Sequence, residues 1–398
     1  MKNTGFFVNG LFYSVLICLW GLTSCSKSSN ENTTSWDVWG NGGMTITMEI
    51  DVPDILDALS GYNTSYKYKE AMAAAQDELK CGSSENFLTL FFNEYEKDGG
   101  QLAPLFAGTM RDIINPDMSN SVVKDILRCE VEAATVNSFN VLRTRIDHFG
   151  VAQPNIQRLG SNRIMMALPD VHDQQRIAKL MQSEGNLEFW ETYNYDEIYE
   201  SLTEVEANLA EENRSLFHLF LSQGQPGMPL VGVSPYSDTA KINRILARPS
   251  TRRLLPPNAR FYWGAKAIDE NNTYFQLIAL KAQRGGRPSL EGDFITDARV
   301  DIGDYGSRPE ILIKMNSTGA RKWECFTQEN IGRCIAIVLD SRVYNYPKVL
   351  SAISGGNSSI LGNFTEDEAN DLANILKSGK MAAPVRILNM EEINMEEK

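Results

Sequence analysis

Within residues 127–149, Val136, Phe139, Leu142, Ile146 and Phe149 recur three or four apart, the spacing of a helix with one buried stripe. Gly150 follows as a C-terminal stop. Next, 155–159 and 163–168 flank the turn Gly160-Ser161-Asn162. Ile164, Met166 and Leu168 fall on one face, which predicts a hairpin. An alternating strand over 44–51 precedes this helix and hairpin; a helix near 172–182 and a strand over 186–193 follow. The order strand, helix, hairpin, helix, strand predicts an α+β fold containing a ferredoxin-like βαββαβ layer, one sheet with helices on one side.

The remaining chain divides by pattern. Residues 53–125 read as helices over 55–59, 66–79 and 86–95, broken at Lys97-Asp98-Gly99-Gly100. Over 194–287 the pattern loosens: 195–214 and 241–247 look helical, 223–229 looks like loop and 275–281 like strand. Regularity returns with a strand over 310–316, a helix over 318–330, and the continuous apolar run 335–339, expected to be buried on both faces. Asp340-Ser341 then turns the chain into 342–346. Thr365 to Glu368 form a capping box ahead of the stripe Ala369, Leu372, Ala373 and Leu376. Gly379 and Pro384 close that helix, and 385–388 is extended.

Charge narrows the function. With 38 Lys and Arg against 51 Asp and Glu, the formal net charge is −13. That excludes general nucleic-acid binding, which needs clustered basic surface, and disfavours broad contact with anionic membranes. The N-terminus reads as an export signal over 1–24: Met1-Lys2, an apolar run over 11–22, then Leu22-Thr23-Ser24-Cys25, a match to the bacterial lipobox. Cys25 is the expected lipidation site, and the polar stretch after it makes 25–43 a lipid-anchored flexible tether. The competing reading is an anchor helix from Phe6 with Cys25 as an ordinary thiol, against which stand Asn9 and Gly10. Ser26-Lys27 lacks the acidic residues of surface-exported lipoproteins and the Asp of inner-membrane retention. A periplasm-facing lipoprotein is expected, at the outer membrane rather than the inner. Cys81, Cys129, Cys325 and Cys334 show no metal-like spacing, and an oxidising compartment allows a Cys325–Cys334 disulfide.

Catalytic chemistry is not visible. His148, His172 and His218 lie on different elements, and no metalloprotease, phosphate-loop, nucleophile-elbow or dinucleotide motif occurs. Gly355-Gly356 reads as a flexible loop. Asp297, Asp301, Asp304, Glu310 and Asp340 read as solvated loop acids, Asp340 as the first residue of a turn. The expectation is no enzyme, with no catalytic residue, metal ligand or cofactor.

Two stretches resemble a known family. "NVLRTRIDHFGVAQPNIQRLGSNRIMMALPDV" (140–171) followed by "NLEFWETY" resembles the first large periplasmic domain of the protein translocase subunit SecD/SecDF family. There a helix ends R-x-R-I-[DN]-x-x-G-V, and P-x-I-Q and R-I-x-V-x-L-P-G follow. The second stretch is denser: "ITDARV", "RPEILIKM", "GARKW", "FTQENIGRCIAIVLDSRVYNYPKV" and "ISGGNSSILGNFTEDEANDLANILKSGKMAAP" follow the family's runs in order. The resemblance covers about 44–51 and 127–390. It implies a ferredoxin-like base built from both ends of the domain, 44–192 and 363–390, with an α+β head, 193–362, inserted between them. Residues 52–126 are then a helical insertion in the base and 391–398 an acidic tail.

The chain also departs from that pattern. Met381-Ala382-Ala383-Pro384 stands for Leu-Pro-Ala-Pro, an acidic run replaces the V-G-P-x-L-G that leads into the family's transmembrane helices, and Trp39 stands where Asp is usual. The expectation is a detached, lipid-anchored form: a SecD-like periplasmic accessory in protein export, without its own proton-coupled membrane part. Its partners would be translocating or unfolded polypeptides and Sec translocon subunits, through contact residues that the sequence does not single out. The alternative is an envelope docking module that reuses the fold.

Overall fold

The computed structural model describes residues 42–97, 99–212, 214–302 and 308–393. Cys25, the signal segment, Asp304 and residues 394–398 lie outside them.

The first strand, β1 (Gly43–Ile50), shows the alternation that its sequence requires. Met44, Ile46, Met48 and Ile50 are fully buried and the residues between them half-buried. It is followed by four helices, α1 (Val52–Leu59), α2 (Tyr66–Lys80), α3 (Phe87–Glu96) and the short α4 (Ala103–Phe106), gathered around buried Tyr68, Phe91, Phe92 and Phe106. The long helix α5 (Asn120–Phe149) starts before the expected 127, because Val123 is buried with the insertion residues and prolongs the apolar side. Gly150 ends it in the left-handed region, at φ 84°. The hairpin β2 (Asn155–Leu159) and β3 (Arg163–Pro169) follows as expected, then α6 (Gln174–Gln182).

The strand after α6, β4 (Leu187–Thr192), corrects the sequence reading. It does not join the sheet of β1 and the hairpin. The place beside β1 is taken by the last strand, β15 (Val385–Ile393), which enters after α11 (Glu366–Ser378) and pairs along all of β1. The resulting sheet has the order β15-β1-β3-β2, antiparallel throughout, with α5 and α11 packed together. Glu391 and Glu392 are therefore ladder residues opposite Thr45 and Met44, and the acidic tail cannot begin at 391.

β4 sits instead in an eight-stranded sheet of order β5-β6-β8-β7-β13-β12-β4-β9. Its other members are β5 (Ser222–Gln223), β6 (Leu230–Pro235), β7 (Ala259–Gly264), β8 (Tyr274–Lys281), β9 (Leu290–Glu291), β12 (Ile335–Leu339) and β13 (Arg342–Asn345). The reason is burial. Leu187, Phe189, Trp190 and Thr192 are buried, so β4 needs cover on both faces, and its neighbour β12 is buried at all five positions. Helices α7 (Tyr195–Ala210), α8 (Tyr236–Ala247) and α9 (Pro249–Leu254) cover one side. A third sheet, β10 (Ile295–Asp301), β11 (Glu310–Met315) and β14 (Asn357–Ile360), lies with α10 (Ser317–Glu329).

The largest apolar cluster runs without a break from β1 and β3 through α11 into β10, β11 and α10. It reaches one face of β4 and β12 at Phe189 and Ile337. A second cluster belongs to α7, α8, β7 and β8. All four described cysteines are free: Cys334 is buried, whereas Cys325 is exposed on α10, so the disulfide that the compartment would allow is not formed. Among the described residues, no helix is long and apolar enough to cross a membrane.

Candidate functional site

The chain passes from α6 into β4 through Ser183-Glu184-Gly185-Asn186, and this crossing is held from two directions by buried polar groups. From α5 comes Arg145, with no exposed surface. Its Nε donates to Ser378 Oγ at the end of α11 (3.1 Å), and its Nη1 donates to Leu180 O (3.0 Å) and Ser183 O. Burial pushes the guanidinium down to about 10, and the charge opposing that shift is Asp340.

Asp340 comes from the opposite direction, the β12–β13 turn. Asp340 and Ser341 both have positive φ, 49° and 62°, the geometry of a tight two-residue hairpin. The Asp340 carboxylate accepts from Ser183 Oγ (2.6 Å), from the Asn186 backbone N–H (2.9 Å) and from the Gly185 N–H (3.5 Å). Its own N–H donates to Asn186 O (3.2 Å). The crossing is thus gripped by an arginine of one assembly and an aspartate of the other.

Gly185 shows how closely the parts meet. Its φ is 76°, and a Cβ there would lie 2.8 Å from Gly379 O and 2.9 Å from Arg145 Nη2. Next to it, Glu184 is half-buried; burial first, then Asp340 and Asp54, pushes its carboxyl up, with Lys380 opposing. Met381 N donates to Glu184 O (2.8 Å), which ties the end of α11 to the crossing.

The return crossing, 361–365, is built differently. Lys266, in the loop between β7 and β8, pairs with Glu368 in the first turn of α11 and donates to Asn363 O. It also lies over the Phe364 ring, 5.2 Å from the centroid, and Phe364 stacks on Tyr344. Burial of Glu368 works against its charge, but Lys266 and the capping N–H of Thr365 outweigh it and hold the carboxyl below the usual range.

The other sequence candidates do not converge. His148, His172 and His218 are all exposed on separate elements; His172 faces Glu392 at 3.0 Å. Asp297 lines a groove of about 500 Å³ on the outer face of the three-stranded sheet and lies 3.8 Å from Lys377. Asp301 is exposed and Glu310 half-buried. Among the described residues, no group of three or more His, Cys, Asp or Glu could hold a metal ion.

Asp340 is a turn residue, as expected, but its carboxylate is taken up by the crossing and is not a solvated loop acid; Asp297, Asp301 and Glu310 likewise lie on β10 and β11, where ladder pairing holds them, and not in loops. Arg145, Ser183, Gly185 and Ser378 were not foreseen. The available signal was Arg145 itself, standing between Leu142 and Ile146 on the apolar stripe, where a charge calls for a partner.

Two family models match the chain: "SecDF, P1 head subdomain" over 269–383 and "Protein translocase subunit SecDF, P1 domain, N-terminal" over 135–194. Arg145, Ser183 and Gly185 fall in the second span, Asp340 and Ser378 in the first; the insertion lies outside both. Among curated proteins, the chain is similar to protein translocase subunit SecD of Rhodothermus marinus, 31% identical over 387 residues, covering 87% of this chain and 60% of that protein. It is also similar to protein translocase subunit SecDF of Thermus thermophilus, 27% identical, covering 72% of this chain and 30% of that one. The chain therefore spans less than two thirds of either relative. A solved SecDF structure aligns at 27% identity over 65% of this chain and 92% of its own, with a TM-score of 0.39.

Proposed function

Because the chain belongs to the SecD/SecDF family, matched in that family's P1 domain, we propose that it is a non-enzymatic, periplasm-facing accessory of protein export. In this reading the sheet β15-β1-β3-β2 with α5 and α11 is the ferredoxin-like base, and the inserted part is the head, which begins at β4 rather than after it. Lipidated Cys25 tethers the domain to a membrane, the outer one favoured. The head receives extended, unfolded or translocating polypeptide, and Sec translocon subunits are neighbours.

The observation that carries this reading is the crossing at 183–186. The chain passes between base and head through a few residues, and buried polar groups from both sides fix their backbone. Such a joint suits a head that is held in a definite pose while it binds a client. The test is photo-crosslinking in cells from probes at Leu350 and Leu221, which are 85% and 67% exposed. Adducts to many unrelated exported chains or to channel subunits are expected. A single recurrent envelope protein instead would sink the export reading.

One observation favours a second reading, a docking module. The insertion, α5 and the β2–β3 turn enclose a groove of about 460 Å³, floored by Val52, Leu88 and Val131. Probes at Ser84 and Leu159 report on it in the same experiment.

A further inference from the structure

The chain is acidic, yet residues 241–287 carry ten Lys or Arg against two acids, Asp269 and Glu270. At contact range, local charge matters more than net charge, because salt screens anything beyond about 8 Å. Four of these cations belong to elements that adjoin where β7 begins and β8 ends. Arg252, in α9, donates from Nη1 to Ala259 O (3.2 Å), and Arg260, in β7, donates from Nη1 to the same oxygen (2.9 Å). Sharing one acceptor keeps these two Nη1 atoms within about 6 Å of each other, where like charges repel unless an anion joins them.

The other two arginines approach through the turn after β8. Gln283 N donates to Arg287 O (2.9 Å) and Gly286 N to Gln283 O (3.0 Å), so the turn is closed, and Arg284 and Arg287 stand exposed on it. Arg260 Nη2 lies against this turn, 2.9 Å from where a Gly286 Cβ would be. Among the described residues, none of the four has a carboxylate within ion-pair distance; the ion pairs of this segment belong to Lys241, Arg248 and Lys266. Glu191, on the adjoining β4, is engaged by Gln283 Nε2 (2.8 Å) and stands opposite Lys281.

We propose that Arg252, Arg260, Arg284 and Arg287 form a binding site for a phosphate group. Each guanidinium carries five N–H donors in a fixed fork, and the carbonyl bonds leave donors over. Forks supplied by a helix, a strand and a turn suit a tetrahedral oxyanion better than a planar carboxylate, which one fork satisfies. The phosphate comes from a lipid headgroup or from a free phosphate, and the two sources are separable.

The full-length chain in neutral detergent is titrated calorimetrically with inorganic phosphate, with micelles doped with phosphatidylglycerol, with phosphatidylcholine-doped controls, and with polyglutamate. Saturable binding to one phosphate probe is expected, weakened by salt and about tenfold by Arg252→Gln/Arg260→Gln or by Arg284→Gln/Arg287→Gln. The second pair lies on an exposed turn and leaves the melting temperature unchanged. Binding to phosphatidylglycerol micelles that free phosphate barely competes with assigns a headgroup, and tight binding of inorganic phosphate alone assigns the free ion. No saturable binding to either probe, binding unchanged in Arg284→Gln/Arg287→Gln, or tighter binding of polyglutamate would overturn the proposal.

Discussion

The chain crosses between its two assemblies twice, and the crossings are made of opposite materials. At 183–186 the groups are buried: Arg145 has no exposed surface, Asp340 satisfies backbone N–H groups, and a glycine stands where a side chain has no room. At 361–365 a half-exposed Lys266–Glu368 pair and a ring contact do the holding. Buried charge is expensive to leave without partners, whereas exposed pairs contribute little and yield to salt. The first crossing should therefore set the pose and the second should give way.

Breaking the buried crossing should have the largest effect. Arg145→Met strands the Leu180 and Ser183 carbonyls and removes the charge facing Asp340; a loss of about 3 kcal/mol is expected in urea unfolding at constant m. Asp340→Ala should lose about 2 kcal/mol, and the double variant should lose clearly less than the sum, because both changes disable one network. Additive losses would mean that the two residues act separately. Gly185→Ala combines a left-handed backbone with a clash against Gly379 O, and about 2 kcal/mol is expected from thermal melts.

Much of this was readable from local pattern. The 127–149 stripe, except for Val136, which is exposed, the hairpin, the capping box at Thr365 and the buried run 335–339 each depend on neighbours a few residues away. Strand pairing does not: whether β4 or β15 lies beside β1 depends on which finds cover, and β15 is at the far end of the described chain. Arg145 illustrates the same limit at a single residue. Its position on the stripe is visible, but its acceptors come from Leu180, Ser183 and Ser378, which only the tertiary structure brings together.

Smaller effects sharpen the contrast. Lys266→Ala should cost less than about 1 kcal/mol, a difference that high salt erases. The two glutamates should titrate in opposite senses. Glu184 has a raised pKa when folded, so its unfavourable contribution is absent below the ordinary value of 4.5 and grows as pH rises through the folded value. Glu184→Gln should therefore stabilise near neutral pH and do nothing in acid. Glu368 has a lowered pKa, so its contribution is present above 4.5 and lost as pH falls through the folded value; Glu368→Gln should destabilise only at the higher pH. Equal pH profiles for the two variants would remove the distinction between the crossings.

The pairing of β1 with β15 has a mechanical consequence. The strands run antiparallel, with Gly43 opposite Ile393 and Ile50 opposite Val385. Tension pulling Gly43 and Ile393 apart would load the ladder at one end, peeling it rung by rung instead of shearing every rung at once. The irregularity at Thr47/Met48 would interrupt that peeling midway, so a graded pull would open the outer half of the seam while the half nearest α1 stayed closed.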